Sequence, residues 1–166
     1  MTGAGNQQER MRAGWIVGFV DGEGTFSVTI QRNREMSLNW QVFPEFVVTQ
    51  GAKSLAALQE LQDYFKCGQI YKNRRYDNHK EDIFRYCVRR RRDLEEKIVP
   101  FFTANQLKTS KKDDFRKFTQ IIELLKAKKH LTPEGLSEIA SIVRMMNRRR
   151  QIQFSLSSET VRRTLP

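Results

Sequence analysis

Between residues 9 and 32 the hydrophobic period of this chain changes from that of a helix to that of a strand, with Asp21-Gly22-Glu23-Gly24 at the change. Residues 9–20 are helix-compatible, with Met11, Trp15, Ile16 and Phe19 as an apolar set. The Asp-Gly-Glu-Gly cluster is a breaker and is expected to end that helix. Residues 25–32 then alternate. Phe26, Val28 and Ile30 fall on one face, and Thr25, Ser27, Thr29 and Gln31 on the other, as in a half-buried strand.

The rest of the chain continues the alternation of the two periods. Arg32 to Asn39 reads as a polar turn and Trp40 to Thr49 as a second strand, on which Gln41, Phe43, Glu45 and Val47 share a face. Ser54 reads as the N-cap of a helix with Leu55, Leu58, Leu61 and Phe65 inward. A second hairpin follows, with strands at Gln69 to Arg74 and Ile83 to Arg90. Its polar loop falls around Asp77, Asn78 and His79. Asp93 is expected to cap a short helix that bends or stops at Pro100. Lys111 to Lys128 is a helix with Phe115, Phe118, Ile122 and Leu125 inward, and Thr132-Pro133 starts another through Leu136, Ile139, Val143 and Met146. The order predicts an α+β domain over residues 9–150 with one four-stranded antiparallel sheet. It is preceded by a flexible lead-in at 1–8 and followed by a polar tail at 151–166, with room for a short helix at Ser158 to Arg163.

Charge narrows the function. Thirty Lys and Arg against 19 Asp and Glu leave +11 at pH 7. Such an excess repels itself in a folded chain, and its plain use is to attract a polyanion. From Lys72 to Arg92 nine basic residues meet three acids, interleaved with Tyr71, Tyr76, Phe84 and Tyr86, a mixture that suits nucleic acid better than a merely solvated surface. Cys67 and Cys87 stand alone, without a CxxC pair or a Cys/His cluster. A structural zinc site is therefore not expected, and two thiols suggest a reducing compartment. No apolar run has the length of a membrane span, so no membrane partner is expected. His79 and His130, the only histidines, read as loop and capping residues rather than a nuclease histidine site.

Asp21 and Glu23 are oddly placed. The C-terminal end of a helix already presents partial negative charge, and two carboxylates there lower stability unless something positive offsets them. A divalent cation would do so, and hard oxygen donors suit magnesium.

The stretch Ile16-Val17-Gly18-Phe19-Val20-Asp21-Gly22-Glu23-Gly24 resembles the LAGLIDADG motif, with Glu23 in the last acidic position. Phe46-Val47-Val48-Thr49-Gln50, Pro100-Phe101-Phe102 and Leu107-Lys108-Thr109-Ser110-Lys111-Lys112 are similar to later segments of that family, in the same order. Ser158-Glu159-Thr160-Val161-Arg162 is similar to the tail of some single-motif members. The resemblance covers nearly the whole chain. It implies a homing endonuclease of the single-motif, group I intron-encoded type, with the αββαββα fold. In that fold a saddle-shaped sheet, with helices on one face, lies over the DNA major groove, and two subunits pack their motif helices together.

The site implied by the resemblance is concrete. Glu23 would bind Mg2+ with help from the Gly22 carbonyl. Gln50 would position the attacking water, and Lys111 would lie near that water and the scissile phosphate. Trp15, Gly18, Phe19 and Asp21 would belong to the dimer interface, with Asp21 more structural than catalytic. Two departures stand out: Glu replaces the commoner Asp at position 23, and Ser54, with Lys53 beside it, occupies the place of a basic residue that often follows the glutamine. Outward strand residues Thr29, Gln31, Asn33, Arg34, Gln41, Glu45, Tyr71, Asn73, Arg74, Arg85 and Arg89 suit base edges of double-stranded DNA. The Arg89 to Arg92 run also suits phosphate contacts. The rival readings are a non-cleaving binder on the same fold, such as an RNA maturase with RNA as partner or a DNA-binding regulator, and a ribosome-associated basic protein. Family inference puts the protein in an organelle or the bacterial cytoplasm.

Overall fold

Helix α1 (Gly3–Glu23) leads without a loop into strand β1 (Gly24–Arg32). The computed structural model describes residues 3–73 and 82–146. The second hairpin loop, with Arg74 and His79, and the polar tail lie outside them. The expected lead-in at 1–8 is helical from Gly3, and the helix continues through the Asp-Gly-Glu cluster to Glu23. Propensity alone does not stop a helix whose inner face is held by packing. The junction needs a glycine at 24, because a Cβ there would meet Cγ1 of Val20 at 2.5 Å and its carbonyl oxygen at 2.8 Å.

Strand β2 (Trp40–Gly51), a 3-10 turn (Ala52–Ser54), helix α2 (Leu55–Phe65) and strands β3 (Gln69–Asn73) and β4 (Ile83–Val88) follow. The four strands form one sheet in the order β1-β2-β4-β3, with β4 antiparallel to both β2 and β3. This is the expected α+β class with the αββαββα element order. The remaining helices are α3 (Arg91–Asp93), a π turn (Leu94–Ile98), α4 (Val99–Ala104), α5 (Lys111–Lys126) and α6 (Pro133–Met146). By contact the chain divides into two units. One holds the residues up to Phe26 and Glu45–Asp113, and the other holds Ser27–Pro44 and the residues from Asp114.

The first unit is built on aromatic rings. Phe46 stacks on Phe26 at 5.1 Å and meets Phe102 at 5.6 Å, and Phe26 meets Phe102 edge-on at 5.5 Å. Such pairs add about 0.5–1.5 kcal/mol each beyond the area they bury. Leu58, Leu61 and Phe65 of α2 are buried, as their spacing predicts. Arg12 of α1 lies 5.2 Å over the Tyr64 ring and pairs with Glu60 at 3.5 Å, joining α1 to α2. In the second unit the inward set of α5 (Phe115, Phe118, Ile122, Leu125) is buried, as are Leu136, Ile139 and Val143 of α6, while Met146 at its end is half-buried. Thr132 caps α6 by accepting the Gly135 N–H at 3.2 Å.

Several local expectations need correction. In α1, Ile16 is buried with Ala13, Val17 and Val20, whereas Met11 and Trp15 of the supposed apolar set face outward. Ser54 precedes α2 but makes no side-chain cap bond, because the 3-10 turn carries the chain into the helix. Asp93 lies inside α3 rather than before it, and Pro100 does not stop the helix. The π turn widens the hydrogen-bond spacing just where proline removes a donor, so the chain passes Pro100 in helical form. Among the described residues no helix is long and apolar enough to cross a membrane, and Cys67 and Cys87 are free thiols.

Candidate functional site

The end of α1 is held by a segment almost ninety residues further along. The Lys108 N–H donates to Oδ2 of Asp21 at 2.7 Å; Oδ1 accepts the Thr109 N–H at 3.1 Å and the Thr109 hydroxyl at 2.8 Å. Burial raises the pKa of this carboxyl, but these three donors and the Lys111 ammonium outweigh it and hold the group below its usual range. Asp21 is thus a clasp between the end of α1 and the segment at Lys108 and Thr109. Lys108 and Thr109 were not singled out as site residues by sequence, and a Thr-Ser pair before a helix was the available signal.

Lys111 supplies the positive group that the helix end requires. Its Nζ donates to the carbonyl oxygens of Val20, Asp21 and Gly22 at 3.2, 2.9 and 2.7 Å. A positive charge at this helix end, felt by the Asp21 carboxylate, is therefore built into the chain. The Glu23 side chain, at the last position of α1, is exposed. Glu23 and the Gly22 carbonyl are hard oxygen donors and so fit part of a magnesium shell. The Gly22 oxygen, already accepting from Lys111, has a second lone pair for a metal. Among the described residues no cluster of three or more His, Cys, Asp or Glu could hold a metal within one chain. Gln50 is half-buried near the end of β2, opposite Phe84.

A second cluster sits on one face of the sheet in the first unit. Glu45 accepts from Nη2 of Arg85 at 3.2 Å through Oε1 and from Nε of Arg89 at 2.7 Å through Oε2. The Arg89 guanidinium lies 5.4 Å from the centre of the Tyr71 ring. These four expected DNA contacts are brought together, and Asn73, two residues beyond Tyr71 on β3, is exposed. A pocket of about 290 Å³ opens beside them, lined by Gln69, Tyr71, Arg89, Arg90 and Asp93 among others. In the other unit Thr29, Gln31 and Arg34 are exposed, and Asn33 donates to Gln41 at 2.6 Å.

The outer face of α1 completes the picture. Gly14, Gly18 and Gly22 recur every fourth residue with open space where a Cβ would stand. Trp15 is exposed beside them, stacked on Phe19 at 5.3 Å.

Comparison with known proteins agrees with this arrangement. The family described as LAGLIDADG endonuclease matches residues 16–122. "Probable intron-encoded endonuclease 3" of Neurospora crassa is 34% identical over 135 residues, which is 80% of this chain and 24% of that protein. The chain spans about a quarter of the length of such curated relatives. Among solved structures, the homing endonuclease I-TnaI superposes with TM-score 0.77 at 38% identity, covering 92% of this chain and 94% of that one. The LAGLIDADG homing endonuclease I-SmaMI, in its complex with cleaved DNA, superposes with TM-score 0.76 at 32% identity over 83% of this chain and 44% of its own. With the motif helix, its acidic end and the sheet in place, this chain belongs to the LAGLIDADG endonuclease family.

Proposed function

We propose that the chain is one subunit of a homodimeric, site-specific endonuclease that hydrolyses both strands of double-stranded DNA at a long, partly palindromic target. The observation that carries this reading is the exposed carboxylate of Glu23 at the end of α1, on a helix terminus whose carbonyls accept from Lys111. Magnesium bound there would lower the pKa of a coordinated water and stabilise charge on the phosphate oxygens. Glu23 and the Gly22 carbonyl hold the cation. Asp21, clasped by Lys108 and Thr109, fixes the helix end and with it the direction of Glu23. Lys111 places a positive charge close to the acids, where a scissile phosphate would enter. The Gln50 amide is the polar group assigned to orient the attacking water.

A duplex has two strands and these residues carry one acidic motif, so in this reading a second copy of the chain supplies the other. The glycine-lined face of α1 suits close approach of a second copy of the same helix, and a two-fold dimer matches a partly palindromic site. The intron-encoded relatives support an origin in a mobile intron, and hence an organelle or bacterial setting.

The test is Glu23→Gln, assayed by gel shift and by cleavage with magnesium on the same DNA. Target binding should persist, equal or slightly tighter, because a negative charge near phosphate is removed. Cutting should fall by several orders of magnitude. Normal cutting by this variant refutes the assignment, and loss of both binding and cutting makes Glu23 structural.

A further inference from the structure

The cluster on the sheet holds more than a set of DNA contacts. Glu45 sits beside the Phe46–Val88 rung of the β2–β4 ladder, which brings it next to Arg89, just past the end of β4. Each of its oxygens already accepts from a different arginine. Its side chain is 20% exposed, against 39% for Arg85 and 54% for Arg89, so the guanidiniums stand further out than the carboxylate between them. A carboxylate so engaged is poorly placed to accept from a cytosine amino group, the usual reason for an acid on a reading face.

Arg89 is constrained from two sides. Its Nε–H points to Glu45, and its Cζ lies over the Tyr71 ring. The edge formed by its two terminal nitrogens, which Glu45 does not use, carries the paired N–H groups that match O6 and N7 of guanine. A guanidinium already fixed loses less freedom on binding. A phosphate would accept from an arginine in many orientations, whereas a planar, two-point partner rewards one that is held.

We infer that Glu45 is a positioning residue that, together with Tyr71, holds Arg89 to read one guanine in the major groove of each half-site. This rests on the proposed DNA-binding function. The role first expected for Glu45, direct contact with DNA, passes to Arg89.

The test is selection of bound sequences from a randomised DNA library at fixed salt, with the full chain and the variants Arg89→Lys, Glu45→Gln and Tyr71→Ala. Thermal unfolding of each variant is followed in parallel. The unaltered protein should prefer guanine at one position per half-site. Arg89→Lys keeps the charge but not the two-point edge, so it should erase that preference while retaining its slope against salt. Glu45→Gln and Tyr71→Ala should weaken the preference at the same position by about tenfold. Glu45→Gln should also bind non-target DNA more tightly, since a negative charge is gone. If Glu45→Gln leaves every positional preference unchanged, or weakens all sequences equally, the inference is overturned. DNA binding with no position sensitive to Arg89→Lys likewise overturns it alone. Failure of the unaltered protein to bind DNA overturns the proposed function as well.

Discussion

The Lys111 ammonium lies 2.7 Å from the carbonyl oxygen of Gly22, inside the motif that carries the acids. A side chain from the start of α5 thereby closes the C-terminus of α1, donating to the carbonyl oxygens of Val20, Asp21 and Gly22. Removing the ammonium should leave those carbonyls and the Asp21 carboxylate without their counter-charge. Lys111→Met is expected to lower unfolding free energy by about 1–2 kcal/mol, combining charge at a helix end with charged hydrogen bonds. Urea unfolding at neutral pH checks this. A variant as stable as the parent would mean that water replaces the ammonium at no loss.

The Asp21 clasp should make stability depend on pH. Burial would raise its pKa, but the Lys108 and Thr109 donors and the Lys111 charge outweigh it and hold the carboxyl below its usual range in the folded chain. A depressed folded value means that the stabilisation is present above the unfolded aspartate pKa and is lost as pH falls through the lower folded value. Asp21→Asn should therefore be less stable than the parent at neutral pH, and the gap should close on acidification. Thermal unfolding of both proteins across that range is the measurement. A gap independent of pH would show that the carboxylate charge contributes nothing.

In the proposed homodimer, Gly18 would separate folding from assembly. No atom lies within 4 Å of a Cβ built there, so a side chain fits within the single chain, and replacing a helix glycine favours the helix by roughly 0.5–1 kcal/mol. Gly18→Leu should fold at least as stably as the parent, yet sediment as a monomer and lose double-strand cutting. A Gly18→Leu dimer of full activity would remove this face of α1 from the interface.

Arg91 tests phosphate contact without base reading. Its guanidinium pairs with Glu95 at 3.6 Å and its side chain is 51% exposed. Such a pair contributes only about 0.3–0.5 kcal/mol to folding, so Arg91→Ala should fold normally. Binding should weaken to a similar extent for all sequences, and the slope of log affinity against log salt should drop by about one. Unchanged slope and unchanged affinity would place Arg91 outside the interface.

Much of this protein was legible in one dimension. The alternation of Phe26 and Val28, the Leu58-Leu61-Phe65 stripe and the Thr132-Pro133 helix start all depend on residues within a few positions of each other, and each appears in the structure as read. The charge excess and the order of motifs likewise needed only the chain itself. Tertiary structure decided the rest. Asp21 found its donors 87 and 88 residues away, and Glu45 found Arg89 at a separation of 44. It also decided that Trp15 faces outward while Ile16 faces inward, since both are large, apolar and adjacent. Local propensity and periodicity are set by neighbours along the chain. The partner of a carboxylate or the exposure of a ring depends on sheet register and helix rotation, which only the packed chain determines.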